Sequence, residues 1–399
     1  MTTLLPYGRQ HIDESDIAAV CEVLRSDFLT CGPKVDEFES RFAKRVGARH
    51  AVAVNSATAA LHLAMRVTEL GPGDRVVTSP NTFVASANAA AFVGATPDFS
   101  DIDPISYNLD PSVLSRNWQS DTKAVVAVDY AGQPCDMPAI ARIAHERGAL
   151  VIEDACHGVG GGFMHEGRSW KLGGHPWADL TVFSFHPVKT MTTGEGGMLV
   201  TNNAEWAARA RRLRSHGIER DPARFTASDP CFLTSEKGPW YYEMSELGYN
   251  YRITDIQCAL GSSQLNRLDT VVNRRREIVS QYNAAFCDIS WLTIPAVRKQ
   301  ADSEQISWHL YTIQIDFEAI DKTRTQVMLE LRENGVGSQV LYIPVHLQPF
   351  YRRAYDYGVG KCPVVEEFYR RALSLPLYPS LNEMEIGRVI NAVWRLAGR

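Results

Sequence analysis

The segment AVAVNSATAALHLAMRVTEL, residues 51–70, changes its hydrophobic pattern after Asn55. Its first part is a short run of alanine and valine, which is typical of a strand buried inside a sheet. Its second part has the apolar periodicity of a helix and opens with serine and threonine. The segment therefore predicts a strand that is followed directly by a helix.

The same alternation continues along the first two thirds of the chain. Further apolar runs lie at residues 75–79, 123–130, 149–154, 180–185 and 197–202, and helical patterns lie at 82–93 and 136–148. Strands rich in Val, Ile and Ala that alternate with helices predict a largely parallel sheet covered by helices on both faces. The predicted fold class is therefore α/β.

The composition changes after about residue 215, where a polar segment containing proline and aromatic residues precedes long helical patterns. Strand-like runs at 309–316 and 336–342, and helices over 323–335 and after Pro363 and Glu383, predict a second and smaller α/β unit. We therefore expect a large domain over residues 1–250, which includes an N-terminal segment on the substrate side, and a small C-terminal domain over residues 251–399.

Composition and charge exclude several classes of protein. With 399 residues, 45% hydrophobic and 22% charged, the chain has the composition of a globular protein. Its net charge of −5 gives no basic footprint for nucleic acid, and no apolar run has the length of a membrane span. The eight cysteines stand singly, and His157 beside Cys156 lacks two further ligands, so neither disulfides nor a metal site are expected. The expected location is the cytoplasm.

Residues with useful chemistry follow the predicted strands, where ligands of a parallel sheet bind. Residues 56–59, SATA, open a helix, which suits either a phosphate or a plain N-cap. Asp154 ends the run 149–154, where a lone acid is most often a cap or an ion-pair partner. Ser184 and Lys189 follow one another at the end of the run 180–185, although most lysines are solvated surface residues.

Taken together, a phosphate cradle, a carboxylate and a lysine are the minimum that an enzyme using pyridoxal 5'-phosphate (PLP) requires. The lysine amine condenses with the aldehyde of the cofactor, and the carboxylate keeps the pyridine nitrogen protonated. The helix end holds the phosphate. The order of these residues along an alternating chain predicts a PLP enzyme.

The motif FSFHPVKTMTTGEGG around Lys189 resembles the lysine motif of the DegT/DnrJ/EryC1/StrS family of sugar aminotransferases. The resemblance covers nearly the whole chain, through the stretches PYGRQHI, LTCGPKVDEFESRFA, VNSATAALHLA, GPGDRVVTSPNTFVASANA, VIEDACHGVG and ELGYNYRITDIQCALGSSQL. It implies a fold-type I PLP-dependent transferase that works as a homodimer with shared active sites.

The resemblance also implies roles for individual residues. Lys189 would be the catalytic Schiff-base lysine, and Asp154 the partner of the pyridine nitrogen. The other implied cofactor contacts are backbone N–H groups of Thr58 and Ala59 on the phosphate, the Ser184 hydroxyl on the phosphate, Phe83 stacked on the ring, His157 beside the phenolic oxygen, and Asn250 reaching a phosphate in the neighbouring subunit's site. The implied substrate-binding residues are Tyr7, Thr30, Tyr342 and His346.

Structural alternatives stand beside several of these roles. Phe83 and His157 suit ordinary core packing. Asn250 suits a turn that favours asparagine. In that case, only the resemblance would support the dimer. Tyr342 and His346 could be a satisfied tyrosine and histidine at the exposed end of a strand.

A finer resemblance, in FSFHPVKTMTTGEGG and GPWYYEMSELGYNYRITDIQ, is to the transaminases of pseudaminic acid biosynthesis. It implies transfer of the amino group of L-glutamate to C4 of a UDP-linked 4-keto-6-deoxy-N-acetylhexosamine, giving UDP-4-amino-4,6-dideoxy-N-acetyl-β-L-altrosamine. The alternative within the family is another nucleotide-linked 4-keto-6-deoxy sugar, of the perosamine or bacillosamine type.

Three rival functions differ from transamination. A PLP-dependent sugar dehydratase of the same family carries histidine at the position of Lys189. A cysteine desulfurase needs a catalytic cysteine on a mobile loop, and the sequence assigns that role to none of its cysteines. A non-catalytic PLP-binding regulator would bind the cofactor without turning glutamate over.

Overall fold

The structure is a computed structural model that describes residues 4–227, 238–298 and 303–398. Its strands, in chain order, are β1 (His50–Val54), β2 (Arg75–Thr78), β3 (Thr96–Phe99), β4 (Thr122–Val128), β5 (Leu150–Asp154), β6 (Gly162–His165), β7 (Arg168–Lys171), β8 (Leu180–Ser184), β9 (Gly197–Thr201), β10 (Ile218–Glu219), β11 (Glu243–Met244), β12 (Leu292–Thr293), β13 (Tyr311–Ile315) and β14 (Ala372–Leu375). Its α-helices are α1 (Glu14–Leu24), α2 (Pro33–Val46), α3 (Ala57–Val67), α4 (Ala85–Phe92), α5 (Pro111–Arg116), α6 (Met137–His145), α7 (Ala204–Arg214), α8 (Asp255–Asn266), α9 (Leu268–Phe286), α10 (Arg324–Glu333), α11 (Pro349–Tyr355), α12 (Pro363–Arg371) and α13 (Glu383–Trp394).

A seven-stranded sheet in the order β1-β9-β8-β5-β4-β2-β3 forms the centre of the molecule. The strands from β8 to β3 along this order pair in parallel, whereas β9 runs antiparallel to both of its neighbours. β8 and β9 are buried at every residue, because helices cover both faces of the sheet. The predicted, largely parallel α/β sheet is confirmed.

The two faces of the sheet carry separate hydrophobic cores, because successive side chains of a strand point to opposite faces. Ala51 and Ala53 of β1 lie in the core that contains Phe42 of α2. Val52 and Val54 of the same strand lie in the core that contains Leu61 of α3. The apolar run that opens residues 51–70 is therefore buried on both sides.

A three-stranded antiparallel sheet, β12-β13-β14, forms a smaller unit near the C-terminus. Its core includes Ile313 of β13, Tyr282 of α9 and Val389 of α13, and it also includes Leu5 from the N-terminal segment. Cys258 of α8 packs instead in the core of the large sheet. The division of the chain at residue 250 stays a prediction.

The prediction of a strand over residues 336–342 is wrong. This run makes only isolated bridges, from Val336 to Leu5 and from Gln339 to Ser374. The two partners belong to different segments, and one bridge is parallel while the other is antiparallel. The run therefore has no continuous neighbour with which to form a ladder.

The seven cysteines within the described ranges are all free, and Cys231 lies outside those ranges. No helix in residues 4–227, 238–298 or 303–398 is long and apolar enough to cross a bilayer. The same ranges contain no group of three or more His, Cys, Asp or Glu side chains placed to hold a metal ion.

Gly132, just after β4, is held in a left-handed conformation with a φ of +91°, and a Cβ atom there would lie 1.8 Å from the carbonyl oxygen of Ser307. We expect Gly132→Ala to lower the free energy of unfolding by about 3 kcal/mol, because left-handed strain adds to a backbone clash. Gly47 is a matched control, since its φ is +89° but a Cβ there meets nothing within 4 Å. Gly47→Ala should lower the free energy of unfolding by only about 1 kcal/mol. Equal midpoints for the two variants in a denaturant titration would contradict the clash.

Candidate active site

A cavity of about 430 Å³ lies beyond the carboxyl ends of β5 and β8. Larger openings of about 610 and 870 Å³ elsewhere on the surface contain none of the predicted site residues. The predicted residues that line the cavity are Tyr7, Thr58, Phe83, Asp154, His157, Ser184, Lys189 and Tyr342. The fold therefore brings most of the predicted site together.

The N-terminus of α3 forms one wall of the cavity. Ser56 is the N-cap of this helix, and its Oγ accepts a hydrogen bond of 3.1 Å from the backbone N–H of Ala59. The backbone N–H groups of Ala57 and Thr58 have no acceptor among the described residues. The N-cap and the predicted phosphate cradle are thus compatible. The N–H groups of Ala57 and Thr58 are free to donate to a phosphate, whereas the N–H of Ala59 already donates to the N-cap side chain.

Gly197, the first residue of β9, allows the chain to pass close to this helix end. A Cβ atom at Gly197 would lie 2.6 Å from the backbone nitrogen of Ala57. Any side chain there would push against the first peptide group of α3. The pair of glycines at the end of the lysine motif therefore protects the geometry of the helix N-terminus.

Asp154 is the last residue of β5 and is 4% exposed. Its Oδ2 accepts a hydrogen bond of 2.7 Å from the Ser86 hydroxyl, and its Oδ1 accepts one of 3.2 Å from the backbone N–H of Cys156. The Ser86 hydroxyl lies 2.8 Å from that of Thr82, which can donate to it in turn. This chain of hydrogen bonds fixes the direction of the carboxylate.

Lys189 lies in the loop between β8 and β9, and its side chain lines the cavity. Its ammonium makes no hydrogen bond or ion pair with any residue that the structure describes. Burial lowers the pKa of Lys189, although the nearby Cys156 and Asp154 act in the opposite direction. A lysine with a lowered pKa is more readily a neutral amine, which is the nucleophilic form.

Threonine hydroxyls and glycines shape the loop that follows Lys189. Thr192 Oγ1 donates to the carbonyl of Phe185 at 2.9 Å and accepts from the N–H of Gly194 at 2.9 Å. Thr193 Oγ1 donates to the carbonyl of Glu195 at 2.7 Å. The hydroxyl-rich run TMTTGEGG thus satisfies its own backbone in a tight loop and holds Lys189 at the cavity.

His157 lies beside Asp154 with both ring nitrogens occupied. Its Nδ1 accepts a hydrogen bond of 3.2 Å from the backbone N–H of Ala131, so the neutral ring carries its proton on Nε2. Nε2 lies 3.1 Å from the hydroxyl oxygen of Tyr342. Burial, followed by repulsion from Lys189, lowers the pKa of His157 well below its usual value, so the ring is neutral at pH 7. His157 therefore donates to Tyr342, which leaves the hydroxyl proton of Tyr342 free for another acceptor.

Phe83 is 57% exposed at the mouth of the cavity, and its ring centroid is 6.3 Å from that of Tyr342. Core packing, the structural alternative for this residue, is therefore excluded. Ser184 accepts a long hydrogen bond of 3.4 Å from the N–H of His186, which leaves its hydroxyl proton available. Both residues line the cavity, and their contacts with the ring and the phosphate stay predictions.

Four predicted site residues, Thr30, Ala59, Asn250 and His346, do not line the cavity. Thr30 is exposed and bridges to Thr254, while Asn250 is exposed and accepts from the Asn55 amide at 3.3 Å. His346 lies outside the cavity, so the structure gives its predicted substrate contact no support. Its side chain is fully buried, and its Nε2 lies 2.9 Å from the Glu366 carboxylate, away from the cavity. His346 is thus a buried histidine that pairs with Glu366 through Nε2, while its Nδ1 has no hydrogen-bond partner among the described residues.

Two residues of the site were missed by the sequence reasoning. Ser86 follows Thr82 by four residues in the stretch after β2, and two hydroxyls at helical spacing there were a usable signal. His309 lines the cavity, and its ring centroid is 4.5 Å from that of His157. No local pattern around His309 indicated this contact, because it joins residues far apart in the sequence.

The residues of the cavity fit pyridoxal phosphate. The free N–H groups of Ala57 and Thr58 suit a phosphate, and the unpartnered amine of Lys189 suits an aldehyde. The oriented carboxylate of Asp154 suits a protonated ring nitrogen. The exposed ring of Phe83 offers a stacking surface.

Comparisons with known proteins agree with this geometry. The profile of the DegT/DnrJ/EryC1/StrS aminotransferase family matches residues 10–394. The spore coat polysaccharide biosynthesis protein SpsC of Bacillus subtilis is 42% identical over 390 residues, which are 98% of this chain and 96% of that protein.

Solved structures with the same fold include Helicobacter pylori PseC, an aminotransferase involved in the biosynthesis of pseudaminic acid. The two structures superpose with a TM-score of 0.88 at 29% sequence identity, over 99% of this chain and 100% of PseC. The PLP form of the sugar aminotransferase Spr1654 of Streptococcus pneumoniae has a TM-score of 0.86, 28% identity and 99% coverage of both chains. The fold is thus that of a fold-type I aminotransferase. The chain belongs to the DegT/DnrJ/EryC1/StrS family and is a PLP-dependent sugar aminotransferase.

Proposed function

We propose that this enzyme transfers the amino group of L-glutamate to C4 of a UDP-linked 4-keto-6-deoxy-N-acetylhexosamine, in the cytoplasm. The observation that carries the proposal is the full-length structural similarity to Helicobacter pylori PseC, combined with a cavity that holds Lys189 and Asp154 together. The sequence motifs of residues 183–197 and 238–257 support the same substrate class.

Each residue would contribute a separate action to the transfer. Pyridoxal phosphate, when bound, withdraws electrons from the carbon that carries the amino group, so that this carbon can lose a proton. Lys189, as a neutral amine, would remove the proton from the amino donor and return one to C4 of the sugar. Asp154 would hold positive charge on the ring nitrogen, and the N-terminus of α3 would anchor the phosphate. The face of the sugar that meets Lys189 then decides between an axial and an equatorial amine.

A second candidate is another nucleotide-linked 4-keto-6-deoxy sugar of the perosamine or bacillosamine type. The identity of 42% to SpsC supports it, since SpsC is named for spore coat polysaccharide biosynthesis and its name specifies no pseudaminic acid.

A substrate panel separates the two candidates. The purified enzyme is incubated with L-glutamate and with UDP-, dTDP- or GDP-linked 4-keto-6-deoxy sugars, and the product is identified by NMR. We expect the highest kcat/KM for the UDP-linked N-acetyl sugar of the L-arabino configuration, with the amine at C4. Preference for a dTDP- or GDP-linked sugar, or for a UDP-linked sugar of another configuration, would refute the proposed substrate and leave the family unchanged.

We also propose a homodimer in which Asn250 serves the partner's active site. Asn250 is exposed and lies outside the cavity of its own subunit. Tyr249 and Tyr251 on either side of it stack on each other with centroids 4.8 Å apart, and Tyr251 lies 3.0 Å from His62 Nδ1 of α3. The packing of these two flanking tyrosines therefore keeps Asn250 at the surface of its own subunit.

Mixed dimers test this arrangement. Asn250→Asp places a negative charge near a phosphate, and Lys189→Ala removes the reactive amine, so each variant alone should be inactive. Coexpression of the two should restore about one quarter of the wild-type activity, because half of the randomly assorted dimers contain one intact site. Lys189→Ala coexpressed with a chain that carries both changes is the control and should stay inactive. No recovery in the first mixture would show that Asn250 serves its own subunit.

A further inference from the structure

His309 is a buried imidazole that points into the active-site cavity without a partner. It is 4% exposed, and neither of its ring nitrogens has a hydrogen-bond partner among the described residues. Its Nδ1 is inaccessible, which leaves Nε2 as the ring nitrogen that a ligand in the cavity can reach. Nε2 faces the cavity without a partner from the described residues, so a bound substrate can supply one.

The groups that act on the pKa of His309 are basic side chains. Burial, followed by repulsion from Lys189, His157, Arg275 and His186, lowers the pKa of His309 well below its usual value. The ring is therefore neutral at pH 7 and can donate one N–H. A neutral imidazole that donates an N–H suits an anionic acceptor, such as a carboxylate oxygen.

Arg275 supplies a fixed charge behind His309. Its side chain is fully buried, and its guanidinium donates to the backbone carbonyls of Leu377 at 2.8 Å and of His309 itself at 3.3 Å. No acidic side chain in the described ranges forms an ion pair with it. Burial lowers the pKa of Arg275 to about 10, which still leaves it charged at pH 7. An unneutralised buried charge strengthens the binding of an anion nearby.

We propose that His309, backed by Arg275, binds the α-carboxylate of the amino-acid donor. The proposal rests on the proposed transamination and deepens it by naming a recognition residue for the donor. Lys189 and His309 line the same cavity, and Lys189 must reach the α-hydrogen. The α-carboxylate is attached to that same carbon, whereas the side-chain carboxylate of glutamate lies further away. His309 would donate its Nε2–H to one carboxylate oxygen.

Two amino acids that lack an α-hydrogen test the proposal by binding alone. 2-Methyl-L-glutamate carries both carboxylates, and 2-aminoisobutyrate carries only the α-carboxylate. Each is titrated into the holoenzyme, and the Kd is read from the absorbance change of the cofactor. We expect His309→Leu to raise the Kd about tenfold to a hundredfold for both probes alike, which is the value of a hydrogen bond to a charged group. His309→Gln keeps an N–H donor at a similar position and should raise the Kd less than about threefold.

The alternative role of His309 is to hold His157 by packing. In that case both variants would shift the absorbance maximum of the bound cofactor and would raise the KM for the sugar substrate as strongly as the Kd of the amino acids. A shifted absorbance maximum, an equally raised KM for the sugar, or unchanged amino-acid affinities in His309→Leu would each overturn the proposal. Weakened binding of 2-methyl-L-glutamate alone would also overturn it, since His309 would then contact the side-chain carboxylate. Failure of the wild-type enzyme to bind either probe would instead refute the proposed function.

Discussion

Lys189→Arg is expected to lower kcat to about 10⁻⁴ of the wild-type value or less. Arginine keeps the positive charge and nearly the length of the side chain, but a guanidinium is not deprotonated in proteins and has no primary amine to condense with an aldehyde. The change therefore separates the chemistry of the amine from the charge of the side chain. Formation of 2-oxoglutarate from L-glutamate in the presence of the keto sugar measures the loss.

A surface lysine provides the control for this substitution. Lys171 of β7 is exposed, and its Nζ donates to the carbonyl of Arg45 at 2.9 Å. Lys171→Arg should keep kcat within about twofold of the wild type, as surface substitutions usually do. Borohydride reduction of the wild-type holoenzyme should fix a pyridoxyl group on the peptide that contains Lys189. A pyridoxyl group on another lysine, or turnover by Lys189→Arg above about 1% of wild type, would contradict the assignment.

The reactivity of Lys189 should also depend on pH in a defined direction. Because burial lowers its pKa, the neutral amine becomes populated at a lower pH than for a surface lysine, whose pKa is about 10.4. The rate at which the apoenzyme captures pyridoxal phosphate should rise with pH and reach a plateau below that value. A rate that continues to rise beyond pH 10.4 would indicate a solvated lysine.

The sequence predicted those parts of the fold and site that depend on local patterns. Residues 51–70 predicted β1 and α3, because burial on both faces of a sheet requires an uninterrupted apolar run. Asp154 and Lys189 were found because parallel strands bring their carboxyl ends to one edge. The reversed direction of β9 was not predictable, since its residues 197–201 are as fully buried as those of the parallel strand β8.

Contacts between distant segments were outside the reach of local patterns. The hydrogen bond between His157 and Tyr342 joins residues that are 185 positions apart. Tyr342 packs against a hydrophobic cluster that contains both Tyr130 and Val345, so the contact depends on segments from distant parts of the chain. The motif around His346 suggested substrate contact, whereas the buried carboxylate of Glu366 determines where this histidine lies. The composition of a motif does not specify which side of it faces a cavity.

Asp154→Ala is the second substitution for which we expect a large loss, about 10³-fold in kcat. The carboxylate is buried and accepts hydrogen bonds from Ser86 and from the N–H of Cys156. A water molecule in its place would not supply the negative charge that alanine removes. Without it, positive charge on the ring nitrogen of the cofactor is no longer stabilised in the transition state. The loss is measured as kcat with saturating L-glutamate and keto sugar.

A cofactor analogue separates the charge of Asp154 from its packing. Pyridoxal phosphate methylated at the ring nitrogen is permanently positive, and Asp154→Ala leaves room for the methyl group. The analogue should therefore restore part of the activity of Asp154→Ala, should not restore Lys189→Arg, and should inhibit the wild type, where the methyl group would meet the carboxylate. Ser86→Ala keeps the carboxylate but removes its shorter hydrogen bond, so it should cost only about tenfold with the natural cofactor. If the analogue leaves Asp154→Ala as slow as the natural cofactor does, then Asp154 acts through shape, and the charge assignment is wrong.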